Sequence, residues 1–139
     1  MKSVYLPIFI SLLVAISTPL TAMAQSRSES RPDKCEYLQN GEYICSFRGA
    51  DTGETVISAF PNSIRRQGRQ GAVNFDYMTS SRLIRNQAQV NCHESLDRWH
   101  RFADEYRAEL VDVTTYASHK MLNYVCEQAG HSVEEQINR

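Results

Sequence analysis

Four cysteines constrain the fold of this 139-residue chain more than any other feature of its sequence. They are Cys35, Cys45, Cys92 and Cys126. An even number of cysteines in a small exported domain predicts disulfides, because oxidising compartments preserve them and a small core needs them. Four cysteines can be paired in three ways, so the pairing depends on the sequence around each one.

The N-terminus predicts export. Lys2 precedes an uncharged apolar run over residues 4–16, and small residues ending in the motif AMA follow. This order is typical of a secretory signal peptide, and the apolar run is too short to span a bilayer as a helix. We therefore expect residues 1–24 to be removed and the mature chain, which starts at Gln25, to be periplasmic or secreted.

The mature chain is close to neutral. Lys2 is the only charged residue of the leader, so 14 basic and 16 acidic side chains remain, with a formal charge of −2. Such a balance gives no general attraction to nucleic acid. No second hydrophobic segment follows the leader and no cysteine stands at the cleavage site, so we expect neither an integral membrane segment nor a lipid anchor.

The mature length suits one domain. Residues 25–34 contain no large apolar side chain, which predicts a flexible lead-in. We expect a single globular domain over residues 35–130 and a polar tail over residues 131–139.

The segment CEYLQNGEYIC favours one disulfide pairing. Its Asn-Gly dipeptide at residues 40–41 is a strong hairpin signal, because both residues accept a positive φ. The hairpin would place Cys35 opposite Cys45, close enough to bridge. That leaves Cys92 to pair with Cys126.

Alternating residues predict the strands of this domain. GETVISAF is rich in β-formers and should end at the turn signal Pro61-Asn62-Ser63. GAVNFDYM alternates apolar and polar residues, which is typical of a half-buried strand, and residues 83–92 indicate another strand.

One helix is indicated near the C-terminus. Ser118 is its expected N-cap and Gly130 lies just past its end. Its apolar side chains share one face, which would turn Cys126 toward the core. A disulfide from there to Cys92 would hold the helix against the sheet.

Residues 95–110, SLDRWHRFADEYRAEL, fit two structures. On a helical wheel the apolar residues fall within about one third of the circumference, so periodicity alone indicates a helix. Such a helix would align four side chains on one face, either as a metal site or as a solvated polar surface. These four are His93, Asp97, His100 and Asp104.

Three short motifs resemble the surface-adhesin protein E-like family of small exported bacterial proteins. They are Ser63, Ile64, Arg66 and Gly68 in SIRRQG, then Val90-Asn91-Cys92, then Tyr124-Val125-Cys126. The resemblance covers about residues 54–126, and the Cys35/Cys45 hairpin lies outside the pattern. It implies an α+β fold, an antiparallel β-sheet with a C-terminal helix tied to it by a disulfide. It also implies a strand at residues 96–103, against the helical periodicity.

Arg65, Arg66 and Arg69 are the candidate partner-binding residues, in a stretch whose two glycines suit a tight turn. A solvated hairpin loop is the other interpretation. Arg82 and Arg85 lie near the opposite turn of the expected sheet, so the arginines would divide between two ends.

No catalytic motif of the GxSxG, P-loop or HExxH type is present. We therefore expect no enzyme, no cofactor and no bound metal, but a binding module with a protein partner. By resemblance, that partner would be a host matrix protein or lysozyme. Two alternatives stay open: a small periplasmic hydrolase or metal-binding protein that uses the histidines, and a periplasmic immunity or structural protein with one cognate partner.

Overall fold

The computed structural model describes residues 30–49 and 56–131. The expected signal peptide, residues 25–29 of the lead-in and residues 132–139 of the tail lie outside these ranges. The described strands are β1 (Lys34–Tyr37), β2 (Tyr43–Phe47), β3 (Ile57–Gln67), β4 (Ala72–Thr79), β5 (Arg82–Asn91), β6 (Arg98–Asp104) and β7 (Arg107–Asp112). One helix, α1 (Tyr116–Gln128), follows β7.

The strands form one antiparallel sheet in which each strand pairs with the next along the chain. Helix α1 packs on one face of this sheet, against β2, β3 and β4. The predicted α+β fold class is therefore confirmed. Within the described ranges, no helix is long and apolar enough to cross a membrane.

The alternation of apolar and polar side chains in β4 indicates which face of the sheet is covered. Val73, Phe75 and Tyr77 of β4 are buried, whereas the residues between them are only partly buried. Burial raises the pKa of Tyr77, whose ring packs edge-on against Trp99. The predicted half-buried strand is thus correct, and its apolar side forms the core with α1.

The structure contains both predicted disulfides. Cys35 faces Cys45 in the β1–β2 register, as the hairpin requires. Cys92 follows the last residue of β5 and is bonded to Cys126 in the last turns of α1. This bond ties the helix to the sheet, and both of its cysteines are buried.

The N-cap of helix α1 lies three residues before the predicted one, at Thr115 and not at Ser118. Thr115 has an extended backbone, and its Oγ1 accepts a hydrogen bond of 3.1 Å from the N–H of Ser118. Ser118 is therefore a residue of the first turn, because Thr115 already satisfies one of the free N–H groups there. The other end was predicted correctly, since Gly130 follows the helix with a φ of +85°.

The helical periodicity of residues 95–110 is misleading, because this segment forms the β6–β7 hairpin. Trp99 and Leu96 are buried, but Tyr106 and Leu110 are exposed. The apolar residues therefore do not form one buried helical face. The strand implied by the family resemblance is correct.

The fold begins before Cys35, although a flexible lead-in was expected up to residue 34. The N–H of Asp33 donates to the carbonyl of Ser46, which extends the β1–β2 ladder. Its carboxylate accepts from the Nζ of Lys120 at 2.9 Å and from the N–H of Arg48 at 2.7 Å. Lys120 lies on α1 with only 7% of its surface exposed, so it needs this partner.

Replacing both cysteines of one disulfide by serine, and then both cysteines of the other, tests how much each bond contributes to the free energy of unfolding. Opening the larger loop, between Cys92 and Cys126, should cost about 4 kcal/mol. Opening the small loop between Cys35 and Cys45 should cost about 3 kcal/mol, because it restricts the unfolded chain less. Urea unfolding of both double variants measures the difference. Equal losses, or a larger loss for the small loop, would contradict the entropic account.

Replacing Asp33 by alanine tests the contact with α1. A buried ammonium without its partner destabilises a protein by several kcal/mol, but Asp33 is partly exposed, so we expect a loss of about 1–2 kcal/mol. Lys120→Met removes the charge together with the need for a partner and should cost less. Urea unfolding at neutral pH compares the two variants, and an Asp33→Ala protein as stable as its parent would show that the contact is dispensable.

The same contact should depend on pH. Desolvation alone would raise the pKa of Asp33, but the Arg48 N–H and the Lys120 ammonium together hold it below its ordinary value of 3.8. A depressed folded pKa stabilises the fold above the unfolded pKa and loses this effect as the pH falls through the folded pKa. The stability gap between the parent and Asp33→Asn should therefore shrink below about pH 4. A gap that is constant with pH would contradict this prediction.

Candidate functional site

The candidate site lies on the open face of the sheet, which we define as the face opposite α1. Because side chains alternate along a strand, the residues of β4 and β5 that flank the core positions turn to this face. Asn74 and Asp76 of β4 stand next to Gln89 and Gln87 of β5. The amide of Gln89 donates to the Oδ1 of Asn74 at 2.8 Å. The centre of the open face is therefore polar and hydrogen-bonded.

A bulge in β3 shapes this face. The register jumps from Phe60 opposite Asp76 to Arg65 opposite Asn74, so four residues of β3 stand against one of β4. The predicted strand end at Pro61-Asn62-Ser63 is wrong, because the chain bulges and then resumes pairing. Proline fits at this point since a bulge requires no ladder hydrogen bond from its nitrogen.

Inside the bulge, the Ser63 hydroxyl forms hydrogen bonds with backbone groups of β3 and β4. It donates to the carbonyl of Phe60 at 2.6 Å and accepts from the N–H of Asp76 at 2.8 Å. A side chain thus occupies the place of a missing backbone group. The bend that it stabilises sets the position of the next residues of β3, including Arg65.

Arg85 lies at the centre of a charged cluster on the open face. Its guanidinium contacts the carboxylates of both Asp76 and Glu42 and stacks over the ring of Phe60, 4.2 Å from the ring centroid. Two anions and one aromatic face fix the orientation of this arginine. The contact with Glu42 joins residues 43 positions apart, so no local motif predicted it.

Arg65 borders a polar groove beside this cluster. The groove has a volume of about 380 Å³. It is lined by Ser63, Arg65, Gln67, Asn74, Phe75, Asp76, Arg85, Gln87, Ala88 and Phe102. Arg65 is exposed, and its Nη1 donates to the carbonyl of its neighbour Ile64. It forms no ion pair with any residue that the structure describes.

The three candidate arginines do not form one cluster. Arg65 and Arg66 belong to β3 and therefore point to opposite faces, and Arg69 lies in the following turn. A Cβ added to Gly130 would lie 3.8 Å from Nη1 of Arg66, which places this guanidinium beside the C-terminus of α1. A cation there complements the helix dipole. Arg66 therefore has a structural neighbour, whereas Arg65 faces solvent at the groove.

The predicted glycine turn is present at residues 68–71. Gly68 has a φ of +68° and Gly71 a φ of +81°. A Cβ at Gly71 would lie 2.6 Å from the ring of His93, so this position also requires glycine for space. The sequence located the turn correctly but placed Arg65 and Arg66 inside it, because the bulge that lengthens β3 was not foreseen.

The histidines do not form the metal stripe that a helix would have produced. His93 lies in the turn after β5 with its ring edge-on to His131, whereas His100 stands on the open face of β6. Among the described residues, no group of three or more histidine, cysteine, aspartate or glutamate side chains could hold a metal ion.

The chain was compared with known families, proteins and structures. No protein-family model, curated protein or solved structure matches the chain. The site must therefore be judged on its own geometry.

Replacing Ser63 by alanine tests the origin of the bend in β3. The change leaves the part-buried N–H of Asp76 without its acceptor, so we expect a loss of about 1–3 kcal/mol in the free energy of unfolding. Ser81→Ala, in the exposed β4–β5 turn, is the matched control and should change stability by less than about 0.5 kcal/mol. Urea unfolding of both decides, and equal effects would show that the hydroxyl does not stabilise the bulge.

Proposed function

We propose that this protein is an exported, non-enzymatic binding module that holds a protein partner against the open face of its sheet. The observation that carries the proposal is Arg65, an exposed guanidinium beside the polar groove with no acidic partner among the described residues. An arginine of this kind recognises a carboxylate or sulfate group through paired, charge-assisted hydrogen bonds.

The surroundings of Arg65 suit the binding of a surface rather than catalysis. The groove offers amides from Asn74 and Gln87, an aromatic ring from Phe102, and the fixed guanidinium of Arg85. Amides and an aromatic ring recognise a partner by hydrogen bonding and packing. Asp76 already pairs with Arg85, so this carboxylate is not available as a free base.

The two disulfides are consistent with an exported protein, since such bonds persist outside the reducing cytosol. The resemblance to surface-adhesin protein E-like proteins supports two classes of partner, host matrix proteins and lysozyme. A cognate partner in the periplasm, as for an immunity protein, would use the same surface chemistry. These classes differ in which protein the open face captures.

A binding panel tests the proposal directly. Protein recovered after export is passed over immobilised extracellular-matrix proteins and over lysozyme, with an unrelated neutral protein as the negative surface. Saturable binding to one of them, weakened by salt, is the expected result, because salt screens exposed charge pairs. Binding to neither class would remove the support that the family resemblance lends to these partners.

Single arginine variants then locate the site. Arg65→Ser should weaken binding by about 10-fold to 100-fold and lower its salt sensitivity, because a hydrogen bond to a charged group contributes about 1.5–3 kcal/mol. Arg66→Ser should leave binding unchanged and reduce stability slightly, since that side chain lies beside the helix C-terminus. Arg69→Ser should change neither, because turn charges are solvated.

Affinity and urea unfolding are measured on the same three preparations. If Arg65→Ser binds as tightly as the parent, the open face is not the binding surface. If Arg69→Ser weakens binding as much as Arg65→Ser, the turn and not the groove is the contact. If Arg65→Ser unfolds, the arginine stabilises the bulge and the assignment fails on different grounds.

A further inference from the structure

The most exposed hydrophobic side chains near the polar groove do not belong to it. Leu83 is 81% exposed, Ile84 64% and Tyr106 89%. Leu83 and Ile84 follow the β4–β5 turn, and Tyr106 lies in the β6–β7 turn. We call residues 80–84 together with residues 105–106 the paired tips.

The register brings the two tips together at one end of the sheet. Gln87 of β5 pairs with Phe102 of β6, so two residues further along, Arg85 is level with Asp104. The ladder between the two strands stops before that point, and the strands separate around an open cavity of about 700 Å³. Ile84 lines this cavity from one side and Glu105 from the other.

Leu83 and Ile84 border different cavities at this end of the sheet. Leu83 lines one together with Ser58 and Met78, and Ile84 lines the one between β5 and β6. A protein that docks into either cavity covers only one of the two side chains. A surface that receives the end of the sheet covers both, and it covers Tyr106 on the neighbouring tip as well.

The charges at this end are nearly balanced. Arg82, which begins β5, forms no ion pair with a described residue, and Arg107 is paired with Asp104 at 2.9 Å. Glu105, beside Tyr106, carries a negative charge that offsets the positive charge of Arg82 in the net charge of the tips. Attraction to an anionic surface would therefore be weak, and the apolar side chains would provide most of the binding.

We propose that the paired tips insert end-on into the interfacial layer of a lipid bilayer. Leu83 and Ile84 enter the boundary of the acyl chains, where apolar side chains leave water. Tyr106 lies at the level of the headgroups, which suits a ring with a polar end. Arg82 contacts lipid phosphates. Arg85, Gln87 and Phe102 line both the cavity between the tips and the polar groove, so membrane binding is tested in the absence of a protein partner.

Vesicle sedimentation tests the proposal. Protein recovered after export is used, and its intact mass establishes that the apolar leader has been removed. It is mixed with vesicles of phosphatidylcholine alone and of phosphatidylcholine with phosphatidylglycerol. The parent should sediment with both and modestly more with the anionic vesicles. The Leu83→Ser/Ile84→Ser variant should lose at least about tenfold in partitioning, because two apolar side chains no longer leave water.

Two further variants make the test specific. Tyr37 is a large exposed side chain at the opposite end of the sheet, so Tyr37→Ser should partition like the parent. Arg82→Ser should lose only the preference for anionic vesicles. Leu83→Trp keeps the side chain apolar, and its fluorescence should shift to the blue when vesicles are added.

Several results would overturn the proposal. These are no sedimentation of the parent with either vesicle, equal partitioning of the double serine variant, an equal loss for Tyr37→Ser, or no blue shift for Leu83→Trp. If the double variant loses a protein partner from the binding panel while the parent never sediments, the tips are a protein-docking site and not a membrane contact.

Discussion

The disulfide between Cys92 and Cys126 determines which face of this sheet is covered. It joins the end of β5 to the last turns of α1, and its two cysteines are separated by 34 positions. The bond holds the helix over β2, β3 and β4. Because one face is committed to the core, the other is left to solvent. The exposure of Arg65 and the polar centre around Asn74 follow from that division.

The shape of the open face depends on a side chain that takes the place of a backbone hydrogen-bonding group. The hydroxyl of Ser63 stands in for a ladder group where β3 bulges. The same bulge resets the register, so that Arg65 and not Arg66 turns toward the groove. Arg85 is fixed between two carboxylates and the ring of Phe60, which makes it a rigid neighbour for any ligand of Arg65.

Sequence patterns predicted the features that depend on near neighbours. Alternation located β4, the Asn-Gly dipeptide located the β1–β2 hairpin with its disulfide, and Gly130 located the end of α1. The bulge was missed because Pro61 normally ends a strand, and the pairing that resumes at Arg65 is with Asn74, a residue of another strand that no local pattern indicates. The contact between Lys120 and Asp33 spans 87 positions and leaves no periodic signal. The helix indicated by the spacing of residues 95–110 was wrong, because some of the apolar residues that make up the helical pattern are exposed and not part of the core.

The central claim is that a protein partner contacts the open face beside Arg65. The most direct measurement is a set of ¹⁵N–¹H NMR spectra recorded while a captured partner is added to the labelled protein. The account predicts that the amide signals of Arg65, Asn74 and Gln87 shift or broaden, while those of the middle of α1 do not. Changes confined to α1, or to the turn at residues 68–71, would contradict it.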